Sequence, residues 1–239
     1  MRVVFFDQDI YRDFGYCSEE VEPLKQYGTV DSYSLDSYQN FNEMVSKLQS
    51  AEIIVVGVSK LPNELLENLE HVRFIQFLGI GASNFIDMEY CKQRNIKVGT
   101  VSDYGSNAVA EFSLCCAMAL AKKIIQADQV VKNQNWSIEN LLGKEIVNSV
   151  FGVVGTGKIG SLVTRKVHAL GGKTIAFDTY KNESLINDCG TQYCNLEEIF
   201  SKSDFISIHL ALNKDTKNYI NGNFLRLMKN TSFLVNTSR

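Results

Sequence analysis

The chain has 239 residues, 45% of them hydrophobic and 21% charged, which is enough for one large or two modest domains with a real core. Its net charge is −3 and its basic residues are scattered, which excludes the electrostatic footprint of a nucleic-acid or anionic-membrane binder. Six cysteines (Cys17, Cys91, Cys115, Cys116, Cys189 and Cys194) form no CxxC and no paired Cys/His spacing, so no metal site is predicted.

In chain order, the N-terminus enters a strand at Val3–Phe6 and meets Asp7 and Asp9, unlike a signal peptide. The best apolar run, Phe112 to Ala121, is too short to span a bilayer and is fenced by Glu111 and Lys122. With a cysteine pattern suited to a reducing compartment, this predicts a soluble, cytoplasmic protein. Residues 1–100 alternate strands and helices. Strands are predicted at Val3–Phe6, Val30–Tyr33, Glu52–Gly57, Phe74–Leu78 and Ile96–Gly99, with helical patterns at Glu19–Tyr27, Phe41–Gln49, Asn63–Leu69 and Asp87–Arg94. That alternation implies a parallel sheet covered by helices. Two of its loops, Val56-Gly57-Val58-Ser59 and Gly79-Ile80-Gly81-Ala82-Ser83-Asn84, follow buried strands. They are either tight βα turns or places where backbone N–H groups stay free for an anion.

From Ser106 to about Lys132 the pattern predicts one long helix, apolar enough to be buried on most sides, against its own domain or a second copy. A polar loop with the sole tryptophan, Trp136, leads from it to a buried strand, Val150–Val154. Gly155-Thr156-Gly157-Lys158-Ile159-Gly160 follows, then a helical pattern, then a strand, Thr174–Phe177, with Asp178 at its end, 18 residues past Gly160. A lone GxGxxG says little. Strand before, helix after and an acid at this distance make it a dinucleotide site. Gly155 permits the turn, Gly157 the approach of a pyrophosphate and Gly160 the packing of helix on strand. Asp178 suits the ribose and favours NAD over NADP, because a carboxylate repels a 2′-phosphate; Lys181 nearby works the other way. Further on come a strand near Gln192–Cys194, a helix from Leu196 capped by Asn195, a buried strand Phe205–Ile208 ending at His209, a helical stretch Asn223–Met228 and a strand Phe233–Val235. A doubly wound dinucleotide domain has six strands, and about five are countable here.

Several of these patterns together resemble the D-isomer-specific 2-hydroxyacid dehydrogenases, the group of D-lactate and phosphoglycerate dehydrogenases. The matching pieces are Asn107-Ala108-Val109-Ala110-Glu111, the stretch Gly152 to Gly160, His209-Leu210-Ala211-Leu212 followed by Asp215-Thr216, and Leu227-Met228-Lys229 leading to Leu234-Val235-Asn236-Thr237-Ser238-Arg239. The resemblance implies two doubly wound α/β domains: a flavodoxin-like substrate domain at 1–100 and a Rossmann NAD-binding domain at 101–239, incomplete at its C-terminus. It implies NAD as cofactor and a homodimer built largely on the long helix. It also implies a hydride transfer between nicotinamide and a small D-2-hydroxy acid or its 2-keto acid.

By the same resemblance, Arg239 grips the substrate carboxylate with its planar fork. Backbone at Gly57, Val58, Gly81 and Ala82 helps to hold that carboxylate, and Tyr104 is similar to a residue of the D-lactate branch. Leu210, Ala211, Thr216 and Asn236 contact the cofactor, Thr237 and Ser238 lie on the strand end that lines the nicotinamide, and His209 is structural or lines the cofactor. Two departures stand out: Ala211 replaces the family's usual proline, and Ala82-Ser83-Asn84 replaces a more common Gly-x-Asp. The family's acid/base histidine and its glutamate lie beyond the arginine motif, in positions that this sequence does not contain. None of His71, His168 and His209 replaces them, so the 239 residues alone are expected to reduce 2-keto acids weakly or not at all. The alternative is a non-catalytic NAD-binding sensor or partner-binding module. The Tyr-x-x-x-Lys pair of short-chain dehydrogenases is absent.

Overall fold

The structure, a computed structural model, describes residues 1–7, 21–34, 40–57, 59–101, 103–134 and 136–238. The chain divides into two compact units, Met1–Tyr104 and Gly105–Arg239. The division falls slightly later than the sequence pattern predicts, because Val101 still donates its amide to the Gly79 carbonyl.

The first unit is a five-stranded parallel sheet in the order β2-β1-β3-β4-β5. Its strands are β1 (Arg2–Phe5), β2 (Thr29–Ser32), β3 (Ile53–Val56), β4 (Phe74–Phe77) and β5 (Lys97–Thr100). Helices α1 (Phe41–Leu48), α2 (Asn63–Glu67) and α3 (Met88–Gln93) make the crossovers. Asn40 and Asp87 cap α1 and α3 by accepting the amides of Glu43 and Tyr90. Of the helix predicted at Glu19–Tyr27, the described part is a 3-10 helix, Glu22–Tyr27, that closes on the Gly28 amide. Val4, Phe6, Ile54, Val56, Ile75 and Phe77 fill one core of this unit.

The second unit is a parallel sheet in the order β10-β9-β6-β7-β8, with β6 (Val150–Val154), β7 (Lys173–Phe177), β8 (Gln192–Tyr193), β9 (Phe205–Ile208) and β10 (Phe233–Asn236). Its helices are α4 (Ser106–Ala121), α5 (Ile124–Lys132), α6 (Lys158–Ala169), α7 (Glu183–Cys189), α8 (Leu196–Lys202) and α9 (Gly222–Leu225). Period-2 alternation sorts the central strand. Phe151 and Val153 face the core under α4 and α6, whereas Val154 faces the core under α8. Asn195 caps α8 as predicted, by accepting the Glu198 amide at 2.9 Å.

The long helix predicted from Ser106 to Lys132 is two helices. Lys123 sits in the left-handed region at φ 53°. The cause is tertiary: the returning chain donates the Lys144 amide to the Ala121 carbonyl at 2.8 Å, and Lys123 Nζ reaches the Asn140 carbonyl. Burial on most sides is also corrected. Only the small-residue stripe Ser106, Ala110, Ser113, Ala117 and Ala121 is buried, one face of the helix.

Candidate active site

The register of the second sheet assembles the candidate site of this unit. Val154 pairs with both Phe177 and Ile208, and Ile208 pairs with Asn236. The next residue on each strand therefore emerges in one row at the carboxyl edge: Gly155, Asp178, His209 and Thr237. The strand order reverses between β6 and β9, and the crevice at such a reversal is where open α/β sheets hold ligands.

Gly155 turns with φ at 89°, a conformation that suits glycine, and its amide bonds to the Phe177 carbonyl at 2.8 Å. Gly157 begins α6 with no side-chain cap, and a Cβ added there would meet nothing within 4 Å. Open space at the uncapped start of a 12-residue helix fits a dinucleotide pyrophosphate. Lys158 and Ile159 form the first turn, with Ile159 packed against the core.

Asp178 ends the row on the β7 side. Its Oδ2 accepts the Thr156 amide at 2.6 Å and the Thr156 hydroxyl at 3.2 Å, and its Oδ1 accepts the Tyr180 amide and the Thr179 hydroxyl, each at 3.2 Å. Partial burial opposes ionisation, but these donors outweigh it and hold the carboxyl below the ordinary range. Asp178 is therefore an anion at neutral pH, able to accept ribose hydroxyls.

Leu210, Ala211, Leu212 and Thr216 line a cleft of about 380 Å³ together with Ile208, Asn236 and Ser238. The loop above it is stiff: Asn213 Oδ1 accepts the amides of Asp215 and Thr216, and Thr216 Oγ1 donates to the Ala211 carbonyl at 2.5 Å. At the far wall, Ser238 Oγ donates to the Ile208 carbonyl. Thr237 is placed differently from Ser238. Its hydroxyl pairs with Ser113 of α4 at 2.8 Å and so ties the strand end to the helix.

His209 pairs its Nε2 with Ser207 Oγ at 2.8 Å, and burial pushes its pKa down to about 4. The ring is neutral at physiological pH. In an unfolded chain it would titrate near 6.5. Between those values the unfolded state binds a proton that the folded state refuses, so stability falls as pH drops through this window. The loss is absent above the upper value and reaches at most about 3 kcal/mol below the lower one. In urea titrations, His209→Gln is expected to flatten this slope. Parallel profiles for the two proteins would show that the ring is not a source of acid sensitivity.

In the first unit, register sets Asp7 beside Gly57, two residues beyond the last pair of β1 and β3, Phe5 with Val55. Asp7 is 2% exposed, and its carboxylate accepts the Gly57 amide at 2.8 Å and the Ser59 amide at 2.9 Å. For this loop the sequence leaves open a tight βα turn or N–H groups free for an anion, and the resemblance implies the latter at Gly57. At Gly57 that is corrected, because the amide is committed to Asp7, and sequence reasoning missed the pairing. Val58 lies outside the described residues, as does Arg239. In the second loop a Cβ on Gly81 would meet only Asn84 Nδ2, whereas Ala82 buries its side chain in the core and its carbonyl accepts the amides of Phe85 and Ile86, each at 2.9 Å. Tyr104 is exposed.

Among the described residues no helix is long and apolar enough to cross a membrane, and no group of three or more His, Cys, Asp or Glu is placed to hold a metal ion. Three comparisons agree on the chain's kin. It is 27% identical to a hydroxypyruvate reductase of Blautia hydrogenotrophica, over 100% of this chain and 74% of that one. It is 32% identical to a hydroxypyruvate reductase of Thermotoga maritima, over 83% of this chain but only 64% of that one. D-lactate dehydrogenase from Aquifex aeolicus, solved with NAD and lactic acid, superposes with a TM-score of 0.85 at 31% identity, covering 100% of this chain and 69% of the other. The model of the D-isomer specific 2-hydroxyacid dehydrogenase NAD binding domain matches residues 114–239. The chain therefore belongs to the D-isomer specific 2-hydroxyacid dehydrogenase family and carries that family's NAD-binding domain.

Proposed function

We propose that this chain holds the cofactor and part of the substrate site of an NAD-dependent oxidoreductase acting on a small D-2-hydroxy acid or its 2-keto acid. The observation that carries the reading is the row Gly155, Asp178, His209 and Thr237 at the carboxyl edge, with open space at Gly157 and an ionised Asp178. Bound there, NAD supplies the hydride-carrying nicotinamide. The first turn of α6 would cradle the pyrophosphate and Asp178 the adenosine ribose. Leu210, Ala211 and Thr216 would flank the adenosine side of the cofactor, and neutral His209, Asn236 and Ser238 the nicotinamide side, keeping water from it. Arg239 would grip the substrate carboxylate; the unit of residues 1–104 would itself offer backbone at Val58, Gly81 and Ala82 to an anionic group. Gly57 would offer close approach only.

We also propose a homodimer in a reducing cytoplasm. Outside the buried stripe, α4, α5 and the following loop expose Phe112 (63%), Ile125, Val131, Trp136 (93%) and Leu142 (90%), a large apolar surface suited to a second copy. Free thiols at Cys91, Cys115, Cys116, Cys189 and Cys194 suit that compartment.

The test is direct binding. Fluorescence titration should show that Asp178→Ala weakens NADH about 10- to 100-fold, the scale of hydrogen bonds to a charged group, while NADPH loses far less. An unchanged ratio of the two affinities would remove Asp178 from the ribose site. Adding 2-keto acids to the NADH complex should change its fluorescence saturably; no response to glyoxylate, hydroxypyruvate or pyruvate would argue against this substrate class.

A further inference from the structure

We propose that Tyr193, acting through Thr156, is a positioning residue that locks the Asp178 carboxylate for the ribose and so sets the preference for NADH over NADPH. The inference rests on the reading of Asp178 as the ribose acceptor. Four groups form a one-way donor chain. The Asn182 amide donates to the Tyr193 hydroxyl at 3.0 Å, Tyr193 donates to Thr156 Oγ1 at 2.8 Å, and Thr156 Oγ1 donates to Asp178 Oδ2 at 3.2 Å. Direction is forced at both ends, since an amide can only donate and a carboxylate can only accept. Both hydroxyl protons are therefore committed, and each hydroxyl that accepts becomes a better donor.

A second chain starts from the same residue. Asn182 Nδ2 donates to Ser161 Oγ at 3.2 Å, and Ser161 Oγ donates to the Thr156 carbonyl at 2.7 Å. Thr156, which is buried, thus has its amide, hydroxyl and carbonyl all engaged. Asn182 closes the loop that starts at Asp178 and caps α7 through the Ser184 amide. The glycine turn and the acid-bearing loop are consequently braced against each other through Tyr193 and Ser161.

The chemical result is an asymmetric carboxylate. Oδ2 is saturated from the protein side by the short Thr156 amide bond and the relay. Oδ1 keeps only two longer, exposed contacts, so it is the oxygen left to accept ribose hydroxyls. Removing the relay leaves Oδ2 held from the protein side by the Thr156 amide alone, which loosens the orientation of the carboxylate and blunts both its grip on a 2′-hydroxyl and its repulsion of a 2′-phosphate. A brace without this role would affect both cofactors alike.

The experiment measures dissociation constants of the full chain for NADH and NADPH, with thermal unfolding as a control on folding. Tyr193→Phe and Thr156→Val are each expected to shrink the NADH preference about 3- to 10-fold, the worth of one hydrogen bond. Thr156→Ser, which keeps the hydroxyl, should retain more of that preference than Thr156→Val. In the Asp178→Ala background, Tyr193→Phe should change the preference no further, because the relay acts only through that carboxylate. Equal weakening of both cofactors by Tyr193→Phe and Thr156→Val, or an additive double variant, overturns the relay while leaving Asp178 in place. If Asp178→Ala itself leaves the preference unchanged, the ribose reading fails and the relay falls with it.

Discussion

Gly160→Ala is expected to abolish measurable NADH binding and to destabilise the fold by about 2–3 kcal/mol. A Cβ at this position would lie 1.9 Å from the Gly155 carbonyl oxygen and 3.0 Å from its carbon. Both are backbone atoms, so no side chain can swing away. The turn that carries this carbonyl is tied down, because the Gly155 amide donates to the Phe177 carbonyl at 2.8 Å. The clash is relieved only if the start of α6 moves off β6, which displaces the helix terminus that would face the phosphates. Gly157→Ala is the informative contrast. Its Cβ enters open space, so urea stability should be nearly unchanged while NADH affinity falls by about 10-fold or more through direct obstruction. Titration of both variants checks the pair, and near-normal NADH affinity in Gly160→Ala would mean that the helix start plays no part in binding.

Phe205→Ala should be the most damaging core change, about 3–5 kcal/mol. Phe205 is 1% exposed and stacks between Phe151, at 4.5 Å between ring centroids, and Phe233, at 5.4 Å. These three rings come from β6, β9 and β10, neighbours in the sheet, so the truncation leaves a cavity between the Phe151 and Phe233 rings inside this core. Ring stacking adds to the transfer term. Phe205→Leu keeps most of the volume and should cost less than half as much. Urea unfolding of the three proteins decides it; a loss under about 1 kcal/mol for alanine would show that the stack is not a keystone of this core.

Much of this was legible in the chain itself, and the limits have a common cause. The run from Val150 to Asp178 could be read because everything it needs is local: an apolar strand, three glycines with separate steric tasks and an acid one strand later. Asn195 was legible as a cap for the same reason. What escaped were bonds between residues far apart in sequence. Asp7 meets Gly57 across 50 positions, and Tyr193 meets Thr156 across 37. The break at Lys123 needs Lys144 to supply the Ala121 carbonyl with a partner, and nothing near Lys123 announces it. The helix α4 misled in another way. It is apolar nearly all round, so periodicity could not choose the buried side, and small residues won because they permit close approach to α6 and β10.

The separate filling of the two sheets has a thermodynamic consequence. Among the described residues, each hydrophobic cluster draws its members from one unit, residues 3–98 in the first and 110–235 in the second. Cooperativity in melting comes from shared burial, so a single midpoint and a single unfolding enthalpy need not describe this chain. A dinucleotide held by the second unit adds its binding free energy to the melting of that core. The cofactor thus becomes a calorimetric label: the part of a heat-absorption trace that moves upward with added NADH belongs to the sheet that holds Asp178.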